Sequence, residues 1–204
     1  MTLNNSAKLF LPVVLLCAAA NASTVFNFDG NSLGTSTTFT DTVNGLSATF
    51  SSSADPGGFV IYPTIFETLT GNVLGDPGPA SMDNLALDVN FSQNLSNIEL
   101  DFATSDFLTP SPFTITAYEN STLVGSATST GQFLSGFTFP EGEIAFAGGA
   151  FNQVVFSSTA TDFAVDNINV LPASVPEPGS LTLLGTGLFL IVIASIRRRK
   201  TARE

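Results

Sequence analysis

Residues 85–91 read Leu-Ala-Leu-Asp-Val-Asn-Phe. Leu85, Leu87, Val89 and Phe91 point one way and Ala86, Asp88 and Asn90 the other, a period of two that belongs to a half-buried strand and not to a helix. Shorter runs of the same period recur at Ile98, Leu100 and Phe102, at Phe113, Ile115 and Ala117, around Val154 and Phe156, and near Leu46, Ala48 and Phe50. Between the runs stand Gly, Pro, Asn, Asp and Ser. Asp55-Pro56-Gly57 and Asp76-Pro77-Gly78 read as turns, and residues 71–82 as one longer loop. No sustained helical period interrupts them. The pattern predicts an all-β fold, an antiparallel β-sandwich of jelly-roll type, as one domain over residues 23–172.

Composition fills in the core and closes off chemistry. Of the 19 phenylalanines, 17 fall between Ser23 and Pro172, with no Trp and only Tyr62 and Tyr118 beside them, so the interior is expected to pack on rings without a polar handle. The same stretch holds 15 carboxylates from Asp29 to Asp166 and no Lys, Arg or His. A polyanion without internal counterions repels phosphate backbones, which excludes nucleic acid as a partner. Histidine-based triads, lysine Schiff bases and histidine zinc sites are impossible where those residues are missing. Cys17, the only cysteine, lies in the N-terminal apolar run, so neither a disulfide nor a cysteine nucleophile serves the domain.

Residues 1–22 have the layout of a secretory signal peptide. Lys8 supplies the positive start, Leu9–Ala20 the short apolar segment, and Ala20-Asn21-Ala22 the small-x-small cleavage site ahead of Ser23. Leu16 before Cys17 argues against a lipoprotein signal, which needs a small residue there. At the other end the 17 residues Ser180–Ile196 are apolar apart from Thr182, Thr186 and Ser195. As a helix they extend about 26 Å, the length of a short membrane span. Arg197, Arg198, Arg199 and Lys200 follow at once, and such basic blocks stay on the cytoplasmic side, which puts the domain outside. A lipid-anchor signal does not normally finish on a basic cluster.

Val175-Pro176-Glu177-Pro178 precedes the span, and its two prolines forbid helix and leave an extended segment that an enzyme can read. The order Pro-Glu-Pro, apolar helix, basic tail over residues 175–200 resembles the PEP-CTERM sorting domain of exported bacterial proteins. That resemblance implies that residues 173–204 are a sorting signal. It implies that Pro176, Glu177 and Pro178 are read by an exosortase, a membrane-embedded cysteine transpeptidase, with this chain as substrate. It further implies an inner-membrane-anchored precursor, a final place in the cell envelope, cell surface or extracellular matrix, and company with exopolysaccharide or biofilm production.

Within the domain the candidate site residues are few. The run Asp162–Val170 changes phase, with Phe163 and Val165 on one parity and Ile168 and Val170 on the other, which a bulge near Asp166 and Asn167 reconciles. If the strand at Phe26 pairs with this one, Asp29 and Asp166 approach and can share Ca²⁺ with backbone carbonyls, since calcium takes six to eight oxygens. Alternatively Asp29 starts the turn at Gly30 and Asn31 and Asp166 caps the bulge, both ordinary uses of aspartate. Tyr62 and Tyr118 are the candidate glycan contacts. Asp83 with Asp88, or Glu99 with Asp101, are the paired carboxylates that glycoside hydrolysis would need, but without a basic residue or a Trp platform beside them the expectation is a non-enzyme. A structural or adhesive surface protein is the leading reading, and a calcium-assisted carbohydrate-binding module the alternative.

Overall fold

A computed structural model of the chain describes residues 22–76, 86–174 and 186–187. In those residues the strands are β1 (Thr24–Phe26), β2 (Phe39–Val43), β3 (Leu46–Ser51), β4 (Val60–Pro63), β5 (Asn72–Gly75), β6 (Ala86–Thr104), β7 (Pro112–Glu119), β8 (Thr122–Thr130), β9 (Gln132–Phe133), β10 (Pro140–Ser158) and β11 (Phe163–Pro172). Every pairing among them is antiparallel.

Two strands of 19 residues, β6 and β10, organise the sandwich. They pair along their whole length, but the register slips where Ala147, Phe151 and Gln153 of β10 meet Asn97, Leu95 and Asn90 of β6. Bulges of this kind bend a strand. On one side of the bend, Ala48–Ser51 of β3 joins Asp88–Phe91 of β6, and β7 then β8 join the far end of β10. On the other side β11 joins the second half of β6, followed by β5 and β4, while β9 joins the start of β10. The expected antiparallel sandwich is what the chain forms. Its strand of alternating side chains reads as the sequence suggests, with Leu87, Val89 and Phe91 buried, Asp88 half-buried and Asn90 exposed.

Phenylalanine rings hold the layers together. Phe102 of β6 stacks on Phe113 of β7 with centroids 4.5 Å apart, and Phe113 meets the edge of Phe163 of β11 at 5.2 Å. At the opposite end Phe26 and Phe28 both meet Phe50 of β3, at 6.3 and 5.4 Å. All of these rings are buried, each removing enough apolar surface from water to contribute about 1.5–3 kcal/mol. Asn44 and Gly45, both at positive φ (52° and 80°), turn β2 into β3 in the manner of a two-residue hairpin.

The phase change in β11 is a bulge: its register against β6 slips between Asp166 and Asn169, with Asn167 at φ 51°. First and last strands do pair, Thr24 with Val170 and Phe26 with Ile168. One expectation is corrected. Residues 71–82 are not a single loop, because Asn72–Gly75 is β5, hydrogen-bonded between β4 and β11 with Val73 and Leu74 fully buried. Four residues behind a glycine are too short a run to show alternation. A Cβ on Gly75 would stand 2.8 Å from both Tyr62 Oη and Ala164 Cβ, so only glycine lets these strands close up there.

Ala22 and Ser23 are exposed just ahead of β1, whereas Ala20 and the rest of the expected signal peptide lie outside the described residues. So do Asp83, Leu85, the motif Val175–Pro178 and the basic block Arg197–Lys200. Of the expected span only Thr186 and Gly187 are described, as helix, and no helix among the described residues is long and apolar enough to cross a membrane.

Candidate functional site

The β4–β5 connection folds over the outer face of the layer that contains β11. Beside it opens a cleft of about 230 Å³. Its floor is Ala103 and Thr104 at the end of β6 with Phe163 and Ala164 at the start of β11, its wall is Tyr62 of β4, and Asp76 and Asp162 line it. Phe66 and Phe139 form its apolar rim, with ring centroids 5.9 Å apart. Phe107 extends that rim, 5.5 Å from Phe139 and 69% exposed, next to Leu108 at 92%, and Ile65, which also lines the cleft, stands 64% exposed. Large apolar groups held open to water around a mostly apolar cavity with a few polar groups are what a ligand surface looks like, since scattered exposure needs no explanation but a contiguous patch does.

The loops presenting these rings are fixed by carboxylates. Asp106 accepts from Thr104 Oγ1 at 2.8 Å, from the Ser111 N–H at 2.8 Å and from Ser111 Oγ at 2.9 Å, which closes the turn carrying Phe107 and Leu108. Glu141 of β10, only 3% exposed, accepts from the N–H groups of Glu67 and Thr68 and from Thr68 Oγ1 at 2.6–3.0 Å. Asp166 Oδ2 accepts from the Thr70 N–H at 3.1 Å and Asp29 Oδ1 from the Asn72 N–H at 2.8 Å. Thus three acids from three strands or turns hold successive amides of the segment that carries Ile65 and Phe66.

Charge in the cleft is unusual as well. Burial pushes the Asp162 carboxyl up to about 6, with the charge of Asp76 adding to it. Burial and then the charges of Asp162 and Asp76 push the Tyr62 phenol up to about 12, so at neutral pH it keeps its proton. Sheet register explains a second feature. Asp101 lies opposite both Asp166 of β11 and Glu143 of β10, and Glu99 lies opposite Asn169, so these acids share the outer face while Leu100 and Phe102 fill the core. Burial raises the carboxyl of Asp101, and a hydrogen bond with Glu99 raises that of Glu143. Among the described residues no group of three or more acidic side chains is close enough to enclose a metal ion alone.

Of the residues singled out from the sequence, Tyr62 stands in the cleft, while Tyr118 on β7 pairs with Gln153 and Leu123 in the other layer, away from it. Asp29 and Asp166 come together on one loop. Asp88, on β6 opposite Ser51 and Val155, has its carboxyl raised by burial and lies in the other layer from the cleft.

Residues 174–200 match the family model of the PEP-CTERM protein-sorting motif. The chain carries a PEP-CTERM sorting signal. This signal marks an exported protein sorted to the cell surface and implies processing by an exosortase. The matched segment follows directly on β11, whose last residues lead to Ala173, with its N–H on the Asn94 carbonyl at 2.7 Å, and an exposed Ser174. A comparison with curated proteins finds none that matches the sequence of this PEP-CTERM protein. Solved structures similar to it include the K2 cleaved adhesin domain of Lys-gingipain, at 15% identity over 73% of this chain and 99% of that one, with a TM-score of 0.43. They also include the carbohydrate-binding module of Cellvibrio mixtus lichenase 5A in complex with cellotriose (13% identity, 76% and 99% covered, TM-score 0.36). A third is the family 11 carbohydrate-binding module of Clostridium thermocellum in complex with a mixed-linked tetrasaccharide (14% identity, 76% and 98% covered, TM-score 0.38).

The sequence reading missed Phe66, Phe107 and Phe139 as site residues because it assigned phenylalanine to packing. A signal existed: Phe107-Leu108 sits between Asp106 and Thr109-Pro110, in turn chemistry where a core residue has no strand to occupy.

Proposed function

We propose that the exported domain is an adhesive, non-catalytic surface module that holds a segment of extracellular polysaccharide in the cleft at Tyr62. The observation that carries this reading is the cleft itself, which Phe66 and Phe139 line together with Tyr62, Asp76 and Asp162, and whose aromatic edge Phe107 extends beside Phe139. Sugar rings have one apolar C–H face and an equator of hydroxyls, and a site for them combines apolar ledges with a few placed polar groups. The domain offers 15 carboxylates and no cation, which disfavours an anionic chain and favours a neutral one. Before sorting, the Ser180–Ile196 segment anchors the precursor in the inner membrane with Arg197–Lys200 inside. Exosortase cleavage near Pro176–Pro178 then passes the protein to the cell envelope or extracellular matrix.

The test is retardation of the full chain, solubilised in detergent, in native gels cast with the producing organism's own neutral extracellular polysaccharide. Wild type is expected to be retarded in proportion to polymer concentration, and Phe139→Ala and Asp162→Asn to migrate as in blank gels. Equal migration of all three would end the proposal. A second reading has one observation in its favour: Asp162, raised to about 6, lines the cleft together with Asp76, and one protonated and one ionised carboxyl in a cleft are the groups that glycoside hydrolysis needs. New reducing ends on incubation with the same polymer, lost in Asp162→Asn, would establish it over the non-catalytic one.

A further inference from the structure

The outer face of β11 and β6 has acceptors with nothing to accept. Asp166 is fully buried, and while its Oδ2 takes the Thr70 N–H, its Oδ1 makes no hydrogen bond of good geometry, although the Asn167 N–H also lies close to the carboxylate. Two more buried oxygens on this face, Oδ1 of Asn169 and of Asn97, are also unpartnered. The register places Asn169 opposite Glu99, next to the Asp101–Asp166 pair, whereas Asn97, on the same parity but about 13 Å further along β6 from Asp101, lies beyond reach of an ion held there. Asp29, Asp101 and Glu143 add negative charge around them, and the 15 carboxylates of the domain have no basic side chain to answer them. Buried acceptors without donors and like charges on adjacent strands are both costly, and what relieves the two together is a cation.

We infer that this face binds one divalent cation, calcium by its oxygen-only donor set, at Asp166 Oδ1 between Asp29 and Asp101. Magnesium demands a tight octahedral cage, whereas calcium accepts an irregular shell of carboxylate, amide and backbone carbonyl oxygens completed by water. That matters here because no three acids converge on one point. Gly71 belongs to the design: at φ +70° it turns the segment so that Thr70 and Asn72 donate to the two carboxylates, and a Cβ there would overlap Asp29 Oδ1. The ion would therefore brace the same segment whose other end carries Ile65 and Phe66, and the inference stands whatever the cleft holds.

The experiment is calcium titration of the full chain in detergent, read by calorimetry and by the melting temperature in calcium against chelator. Wild type is expected to show saturable binding of one ion and a calcium-dependent rise in Tm. Asp166→Asn should lose both while melting in chelator no lower than wild type, Asp29→Asn should bind at least tenfold more weakly, and Asp88→Asn, in the other layer, should bind as wild type does. Absence of saturable binding to wild type overturns the inference. So does calcium binding that survives both Asp166→Asn and Asp29→Asn, or a stability of wild type that responds to pH and not to calcium, which would assign a proton to Asp166 instead.

Discussion

Replacing Glu141 by Gln keeps the shape of a side chain and removes a charge that four hydrogen bonds depend on. The carboxylate accepts the Glu67 N–H on both oxygens at 2.9 and 3.0 Å, and the Thr68 N–H and hydroxyl on Oε2 at 2.6 and 2.7 Å. Glutamine has one acceptor oxygen, and its amino group would face donors. Bonds to a charged acceptor contribute about 1.5–3 kcal/mol each, and the loss of one or two is partly offset because Glu67 and Thr68 are exposed and can turn to water. The expected cost is about 2 kcal/mol, concentrated in the segment from Thr64 to Gly71. Hydrogen exchange is the assay: the Glu67 and Thr68 amides should exchange on the order of 30-fold faster in Glu141→Gln, since about 1.4 kcal/mol is tenfold, while amides of β6 and β10 change little. Unchanged exchange at Glu67 and Thr68 would refute the claim that a buried carboxylate positions this segment.

Other perturbations follow from the same geometry. In chelator, wild-type stability should contain a contribution from Asp166 that is present below about pH 4 and lost as pH rises to about 7, because burial, with the charges of Asp29 and Asp101, raises its folded pKa from 3.8 to about 7. That shift corresponds to roughly 2–4 kcal/mol, so Asp166→Asn should unfold at higher denaturant than wild type at pH 8 and near it at pH 4; parallel pH profiles would contradict this. Phe113→Ala, which removes the ring in contact with Phe102, Phe156 and Phe163, should cost about 3–5 kcal/mol by urea denaturation, and a loss under 1 kcal/mol would mean the layers do not close on it. Glu177→Ala in the sorting motif should leave the chain in the membrane fraction of the producing organism, where wild type is expected at the cell surface; equal partitioning would remove the motif from the sorting step.

Much of the fold was legible because period-two alternation is a local property: Leu87, Val89 and Phe91, or Ile98, Leu100 and Phe102, declare their face within six residues. The bulge at Asp166 and Asn167 was legible for the same reason, as a break in that alternation. β5 was not, since a four-residue strand between β4 and β11 exists only through its neighbours' ladders. Nor was the length of β6 and β10, because the register slips beside Leu95 and Phe151 break the alternation into shorter runs until both halves are seen paired. The site divides in the same way. Tyr62 was a candidate by residue type alone, and the approach of Asp29 to Asp166 was expected from the pairing of first and last strands, which does form. The Phe66, Phe107 and Phe139 rim, the Glu141 clamp and the Asp76 and Asp162 pair depend on contacts tens of residues apart, which no periodicity encodes.

Calorimetric titration of the full chain in detergent with neutral oligosaccharides released from the producing organism's extracellular polymer addresses the cleft most directly. Saturable binding to wild type is expected, weakened at least tenfold in Phe66→Ala and Phe139→Ala and unaffected by Tyr118→Ala. Binding that is insensitive to the rim substitutions but lost in Tyr118→Ala would place the ligand on the other layer and contradict it.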